Sequence, residues 1–324
     1  MRDAAPRVGL VLGAGGVAGG AFHAGVLAAL EQATGWDPRR ATVVVGTSAG
    51  SIAGAALRAG VSADDLLARA EDRPLSAEGA RLLREVGAPQ PISPLRPSRE
   101  VPLPAQLLAT ISRAAARPFA ARPLALLAGL LPDGSVSTDI IAQSISALYD
   151  EGWPSNPLWI CAVRQRDGRR VVFGRDARRP PLPDVVAASC AIPGFFQPVR
   201  IEDVPYIDGG VHSPTNADVL RGPELALDLV LVSSPMSVTG RALRLAGDQP
   251  ARRWAAALLE GEARRLRRAG APVLAFQPTP EDAAVMGVNA MDPSRRAAIA
   301  RQAYESTLRR LERADTRARL APLG

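Results

Sequence analysis

Lysine is absent from this 324-residue chain, and all 39 basic side chains are arginine. Alanine is abundant beside it, the mark of a GC-rich coding bias. The formal net charge of +7 and the isoelectric point near 10.6 therefore argue only weakly for nucleic acid. An anionic lipid surface suits the same charge equally well. The chain carries no recognisable nucleic-acid module, and no aromatics are interleaved with its arginines. Aromatics make up 4% of the residues, so the core must be aliphatic and alanine-rich. Cysteine is limited to Cys161 and Cys190, histidine to His23 and His212. That supply excludes a C-x-x-C metal spacing, and a zinc site would have to draw on carboxylates or distant cysteines. Two buried free thiols in a reducing cytoplasm are expected, with no metal and no cofactor.

Long apolar runs are missing as well. The stretch Val8–Leu30 follows Arg2 and Arg7 as a leader peptide would. Gly13, Gly15, Gly16, Gly19 and Gly20 interrupt it, where the apolar region of a leader is continuous. No other stretch offers about twenty uninterrupted apolar residues, so no transmembrane helix is expected. The chain reads as cytoplasmic, with peripheral contact at the inner membrane face.

The first sixty residues alternate strand and helix: strand Arg7–Leu12, a turn Gly13–Gly20, helix Ala21–Gln32, strand Thr42–Val45, helix Ser51–Ala59. Two βα units in succession predict an α/β fold with a parallel sheet covered by helices. Further strands are expected at Leu158–Val163, at Arg170–Phe173 across an Asp167-Gly168 turn, at Leu227–Val232 and at Val273–Phe276. One long arginine-rich helix, Ser294–Arg317, is expected to close the chain, capped by Asp292. Between Asp72 and Asp133 recurrent prolines break regular elements into short pieces. Leu103–Leu131 mixes Leu and Ala with Arg113, Arg117 and Arg122. It reads either as a helical cap on the core or as a lid that touches membrane. The whole is expected to be one domain, 1–324, with a cap insertion at about 73–135 and a C-terminal helical segment at about 294–318.

Val43–Val45 runs into Gly46-Thr47-Ser48-Ala49-Gly50, a G-x-S-x-G between a strand and a helix. In that setting a sharp turn lifts the serine hydroxyl out at the strand end, and the helix aims its first N–H groups at any charge forming there. A serine needs a base to take its proton and donors for the oxyanion it creates. Gly13-Ala14-Gly15-Gly16-Val17-Ala18-Gly19 is suited to supply donors, because consecutive glycines let backbone N–H groups converge. The rival reading of this loop is a dinucleotide fingerprint, G-x-G-x-x-A. That motif wants an acid at the end of the second strand, where this chain has Gly46-Thr47-Ser48. The candidate bases are His23, His212 and Asp208, the last in Tyr206-Ile207-Asp208-Gly209-Gly210-Val211. Alone, an Asp-Gly-Gly is an ordinary turn.

Taken in order, the glycine loop Gly13–Gly19, the elbow Gly46–Gly50 and the turn Asp208–Gly210 resemble the patatin-like phospholipase family. The segment Ala187–Val199 adds a fourth family-like stretch, expected to place a loop against the active site, and the resemblance covers roughly residues 7 to 235. It implies a three-layer α/β/α fold with a mainly parallel central sheet. It also implies a serine acyl hydrolase acting on lipid carboxylic esters through a Ser–Asp dyad. Ser48 would be the nucleophile and Asp208 the base. Gly15, Gly16 and Ala49 would be the oxyanion donors, with Gly13, Gly19, Gly46, Gly50, Gly209 and Gly210 in support and His212 close by. The chain departs from the family at Ala18, where an Arg or Lys is usual. That departure keeps a second reading open: a lipid-binding or scaffold protein that retains the fold. Asn216 and Asp218 are read as local braces of the Asp loop.

Overall fold

The apolar runs form strands whose alternate side chains enter two separate cores. The computed structural model describes residues 5–84, 86, 133–149, 152–176, 179–239 and 249–323. The chain runs β1 (Val8–Leu12), α1 (Gly16–Thr34), β2 (Val43–Gly46), α2 (Ala49–Arg58), α3 (Ala63–Ala70), α4 (Ala77–Leu82), α5 (Asp139–Ser146), β3 (Leu158–Arg164), β4 (Arg169–Phe173), α6 (Leu182–Ser189), β5 (Val199–Ile201), β6 (Val204–Asp208), β7 (Leu229–Ser233), α7 (Gln249–Arg268), β8 (Val273–Phe276), α8 (Pro280–Met286), α9 (Arg296–Leu311) and α10 (Ala314–Leu320). The strands make one sheet in the order β5-β6-β3-β2-β1-β7-β8, with β4 also on β3. The pairs from β3 through β2, β1 and β7 to β8 are parallel; those of β4, β5 and β6 are antiparallel.

Side chains point to opposite faces along a strand, so buried strands need cover on both sides. Leu10, Leu12, Val44, Ile160 and Leu231 join the cluster that holds α1, α2, α6 and α9. Val11, Val43, Val45, Trp159 and Val232 join Leu259, Ala263 and Leu266 of α7 on the other face. This is the layered α/β arrangement with a mainly parallel sheet that the sequence leads one to expect. Among the described residues no helix is long and apolar enough to cross a membrane.

Several boundaries differ from expectation. Helix α1 begins at Gly16 rather than Ala21, so the glycine turn is only Gly13–Gly15 long. Gly19 and Gly20 lie inside the helix, and Gly19 N–H already donates to Gly15 O at 2.7 Å. Burial outweighs the poor propensity of those glycines, because nearly every α1 residue from Ala18 to Leu30 is buried. The expected closing helix is broken in two. Asp292 caps a single turn, Pro293–Arg295, and α9 follows; the chain then turns extended at Arg313, which lets Leu320 of α10 return to the core. Helices α3, α5, α6, α7 and α8 were not anticipated. Of the cap segment, residues 73–84, 86 and 133–135 are described; Leu103–Leu131 with its three arginines lies outside the described residues.

Candidate active site

The register of β3 brings the serine turn and the aspartate turn together. Strand β2 runs along one edge of β3 and ends with Gly46 opposite Ile160. Strand β6 runs the other way and ends with Asp208 opposite Ala162. Strand β4 occupies the opposite edge of β3 at both places, so β2 and β6 share one edge and meet head to head at Cys161. The Cys161 carbonyl in that gap accepts a hydrogen bond from Ser189 Oγ at 2.8 Å. Ser189 Oγ in turn accepts from the Ser48 backbone N–H at 2.9 Å. The Asp208 turn packs onto the same carbonyl: a Cβ at Gly209 would lie 2.2 Å from Cys161 O, so only glycine fits.

Ser48 sits at φ 53°, ψ −122° as the N-cap of α2, a conformation that L-residues adopt at a cost of about 1–3 kcal/mol. Its surroundings hold it there. Gly50 N–H donates to Thr47 O, and both the N–H and the hydroxyl of Ser51 donate to Ser48 O. Helix α2 starts hard against β1, so that a Cβ at Gly50 would lie 1.9 Å from Leu12 O. Gly46 likewise lies under Ser51. Ser48 and Asp208 are both buried, and the Ser48 side chain lies near enough to the Asp208 carboxylate to favour its charged form.

Burial is the main influence on Asp208 and pushes its pKa from 3.8 up to about 6. The nearby Ser48 side chain and the hydrogen bond from Gly210 N–H at 2.7 Å pull the other way. Asp208 N–H is anchored to Ala191 O at 2.9 Å. The segment Ala187–Val199 thus touches both halves of the pair: Ser189 on the Ser48 side and Ala191 on the Asp208 side. Cys190, between them, is a fully buried thiol 3.8 Å from Ser51 Oγ, and burial pushes its pKa far up.

Two helix N-termini converge here. Gly15 caps α1, while Gly13 and Ala14 N–H are spent on Ser233 O and Pro214 O. Among the described residues no acceptor takes the N–H of Gly15, Gly16 or Ala49. Neither α1 nor α2 carries an acidic residue in its first turn, so both helix dipoles stay uncompensated and favour an anion. Ala18 is buried, and its N–H donates to Ala290 O at 2.9 Å.

Ser48 opens into a cavity of about 550 Å³ between α1, α2, α3 and α5. Its walls are mostly aliphatic, Ile52, Ala56, Leu66, Ile141 and Ile145 among them, and among the described residues its charged lining is Arg69 and Arg296. Arg296 donates to Ala70 O and pairs with Asp72; Arg69 donates to Val86 O at 3.0 Å. Among the described residues no group of three or more His, Cys, Asp or Glu is placed to hold a metal.

The histidines are elsewhere. His23 is fully buried, with Nε2 2.8 Å from Gly13 O and Nδ1 2.8 Å from Ser233 Oγ. A carbonyl only accepts, so Nε2 carries the proton, and burial lowers the pKa to about 4. His212 follows the Asp208 turn, half-buried, close enough to Asp218 to affect its charge. Gly19 packs against Pro235 inside α1 rather than in the loop. Sequence reasoning did not single out Ser189, Thr47 or Ser51, since small polar residues in apolar segments carry no local signal.

Two solved structures share features with the chain. VipD from Legionella pneumophila aligns over 95% of this chain and 67% of its own, at 14% identity and TM-score 0.42. Human GIVD cytosolic phospholipase A2, solved with methyl gamma-linolenyl fluorophosphonate, aligns over 98% of this chain and 59% of its own, at 15% identity and TM-score 0.42. No curated protein sequence matches. The Patatin-like phospholipase family profile matches residues 10–221, a span that holds the glycine loop, the strained serine and the buried aspartate, and the chain belongs to that family.

Proposed function

We propose that the protein is a lipid acyl hydrolase that cleaves carboxylic esters through Ser48 and Asp208. The observation that carries this reading is the convergence of a strained serine and a buried aspartate where two strands meet head to head. Ser48 Oγ attacks the ester carbonyl while Asp208 takes the hydroxyl proton. The carbonyl oxygen becomes an oxyanion facing the N–H groups of Gly15, Gly16 and Ala49. The tetrahedral adduct collapses, the alcohol leaves with the proton from Asp208, and an acyl-Ser48 ester remains. Asp208 then deprotonates a water that attacks the acyl-enzyme, which releases the fatty acid and restores Ser48. The aliphatic cavity beside Ser48 is suited to the acyl chain. Arg69 and Arg296 on its wall favour a lipid carrying negative charge and supply cations that Ala18 does not.

Hydrolysis of phospholipid and lysophospholipid in vesicles, compared among wild type, Ser48→Ala and Asp208→Asn, tests the reading. Both variants are expected to lose at least about a thousandfold in kcat with folding intact. Undiminished hydrolysis by either one refutes the dyad. The second reading, a lipid-binding protein of little activity, is favoured by Ala18 alone. It requires that folded wild type fail to react with a fluorophosphonate at Ser48.

A further inference from the structure

One side chain touches both catalytic turns. Asn216 Nδ2 donates to Thr47 Oγ1 at 3.1 Å, to Gly209 O at 3.3 Å and to Ser213 O at 2.6 Å. Thr47 immediately precedes Ser48, and Gly209 immediately follows Asp208. The amide orientation is fixed by chemistry: Oδ1 faces the Arg170 guanidinium at 3.1 Å, while Nδ2 faces carbonyl and hydroxyl oxygens. We infer that Asn216 is a positioning residue that sets the separation of Ser48 from Asp208 by tying the serine turn to the aspartate turn. The inference rests on the hydrolase reading above.

The tie is itself held from three sides. Arg170, on β4, is clamped by both oxygens of Asp218, at 2.6 and 2.9 Å, and so presents a fixed donor to Asn216. Glu262 of α7 accepts from Thr215 Oγ1 at 2.6 Å and from Ala217 N–H at 2.9 Å, which pins the residues on either side. Asn216 N–H donates to Ser213 Oγ at 3.2 Å. Asn216 is wholly buried at φ 51°, ψ 28°, a left-handed conformation that asparagine tolerates better than most residues. A buried amide clamped this way is costly to displace. Neither Ser48 nor Asp208 is bound by Asn216 itself, so its effect passes through their neighbours.

The test uses purified full-length protein and two isosteric variants. Asn216→Asp keeps the shape and the tolerated conformation but replaces the Nδ2 donors with an acceptor. Thr47→Val removes only the hydroxyl at the serine side and leaves Asn216 its other acceptors. Turnover of a short-chain p-nitrophenyl ester is measured per site titrated with fluorophosphonate, which counts only folded, reactive molecules. Both variants are expected to lose roughly 10- to 100-fold in kcat with KM within about threefold, the mark of a displaced dyad over an intact binding cavity. Thr47→Ser, which restores the hydroxyl, is expected to recover most of that loss. If Asn216→Asp fails to fold, Thr47→Val and Thr47→Ser carry the test. Variants that melt earlier but keep wild-type kcat per titrated site overturn the inference and leave the hydrolase reading standing. Wild type that neither hydrolyses the ester nor titrates overturns both.

Discussion

Replacing Asp208 with Asn should make the protein more stable while it abolishes turnover. Burial raises the carboxyl pKa from 3.8 to about 6, so the native state binds its proton more tightly than the unfolded chain does. The sign follows by linkage. Asp208 contributes no penalty below pH 3.8, where it is protonated in both states. Stability is lost as pH rises from 3.8 to 6, because the unfolded chain releases the proton first, and the loss is complete once the buried native carboxyl has ionised. At about 1.4 kcal/mol per pH unit across that window, the loss at pH 8 is about 3 kcal/mol. Asparagine keeps an oxygen for the Gly210 N–H and an amide of nearly the same volume, so it should escape that loss. Chemical unfolding of wild type and Asp208→Asn at several pH values reads the difference. The variant should lead by about 3 kcal/mol at pH 8, by about half that near pH 5, and by less than about 1 kcal/mol at pH 4. Equal stability at pH 8, or a gap that does not close on acidification, would show that Asp208 is not a buried, destabilised base.

Three further outcomes follow from the same site. With Asp208 as the base, kcat/KM should rise about tenfold per pH unit on the acid side and level off above about pH 6; a plateau that persists to pH 4 contradicts that role. Arg69→Ala and Arg296→Ala should raise KM for anionic lipids by roughly 5- to 10-fold relative to zwitterionic ones in vesicle assays. Equal effects on both lipid classes would deny the cavity arginines a part in selection. Ser189→Ala removes the acceptor of Ser48 N–H and the donor to Cys161 O, and should cost about 1–3 kcal/mol in thermal or urea unfolding. A neutral result would mean that the strained turn is held without it.

Some of this was legible in the sequence because the chemistry uses local backbone. A G-x-S-x-G after three valines declares its own strand, turn and helix, and Asp208-Gly209-Gly210 declares a turn that admits close packing. Helix α7 was missed although Ala255, Leu259, Ala263 and Leu266 recur at three- and four-residue spacing, because its many arginines hide that stripe. The position of α1's first turn was not legible, because glycine reads as a breaker until neighbouring elements bury it. Nor was the reach of Asn216. Its acidic neighbour and its local turn pointed to a local brace, whereas its bonds to Thr47 and Arg170 cross 169 and 46 positions. Such contacts arise from strand order, and no spacing along the chain encodes them.

The scarcity of histidine acquires a physical meaning at His23. A serine hydrolase usually relies on an imidazole whose pKa lies near neutrality. Here burial brings the Asp208 carboxyl to about 6, close to the ordinary histidine value of 6.5, so under the proposed mechanism a carboxylate would serve in place of an imidazole. The buried imidazole does the opposite job. His23, held neutral with a pKa of about 4, ties Gly13 O to Ser233 Oγ and so fixes the strand end from which the glycine loop departs. Its linkage has the opposite sign to that of Asp208. The stability it contributes is full above pH 6.5 and lost as pH falls toward 4, about 3 kcal/mol in all, so the two groups nearly cancel in wild type between pH 4 and 6. Glutamine at position 23 can donate to Gly13 O and accept from Ser233 without titrating. His23→Gln should therefore hold kcat within about tenfold of wild type and leave the acid limb near pH 6, while its stability falls as pH rises from 4 to 6 because Asp208 is no longer opposed. A thousandfold fall in kcat together with loss of the acid limb would identify His23 as the base and remove Asp208 from that role.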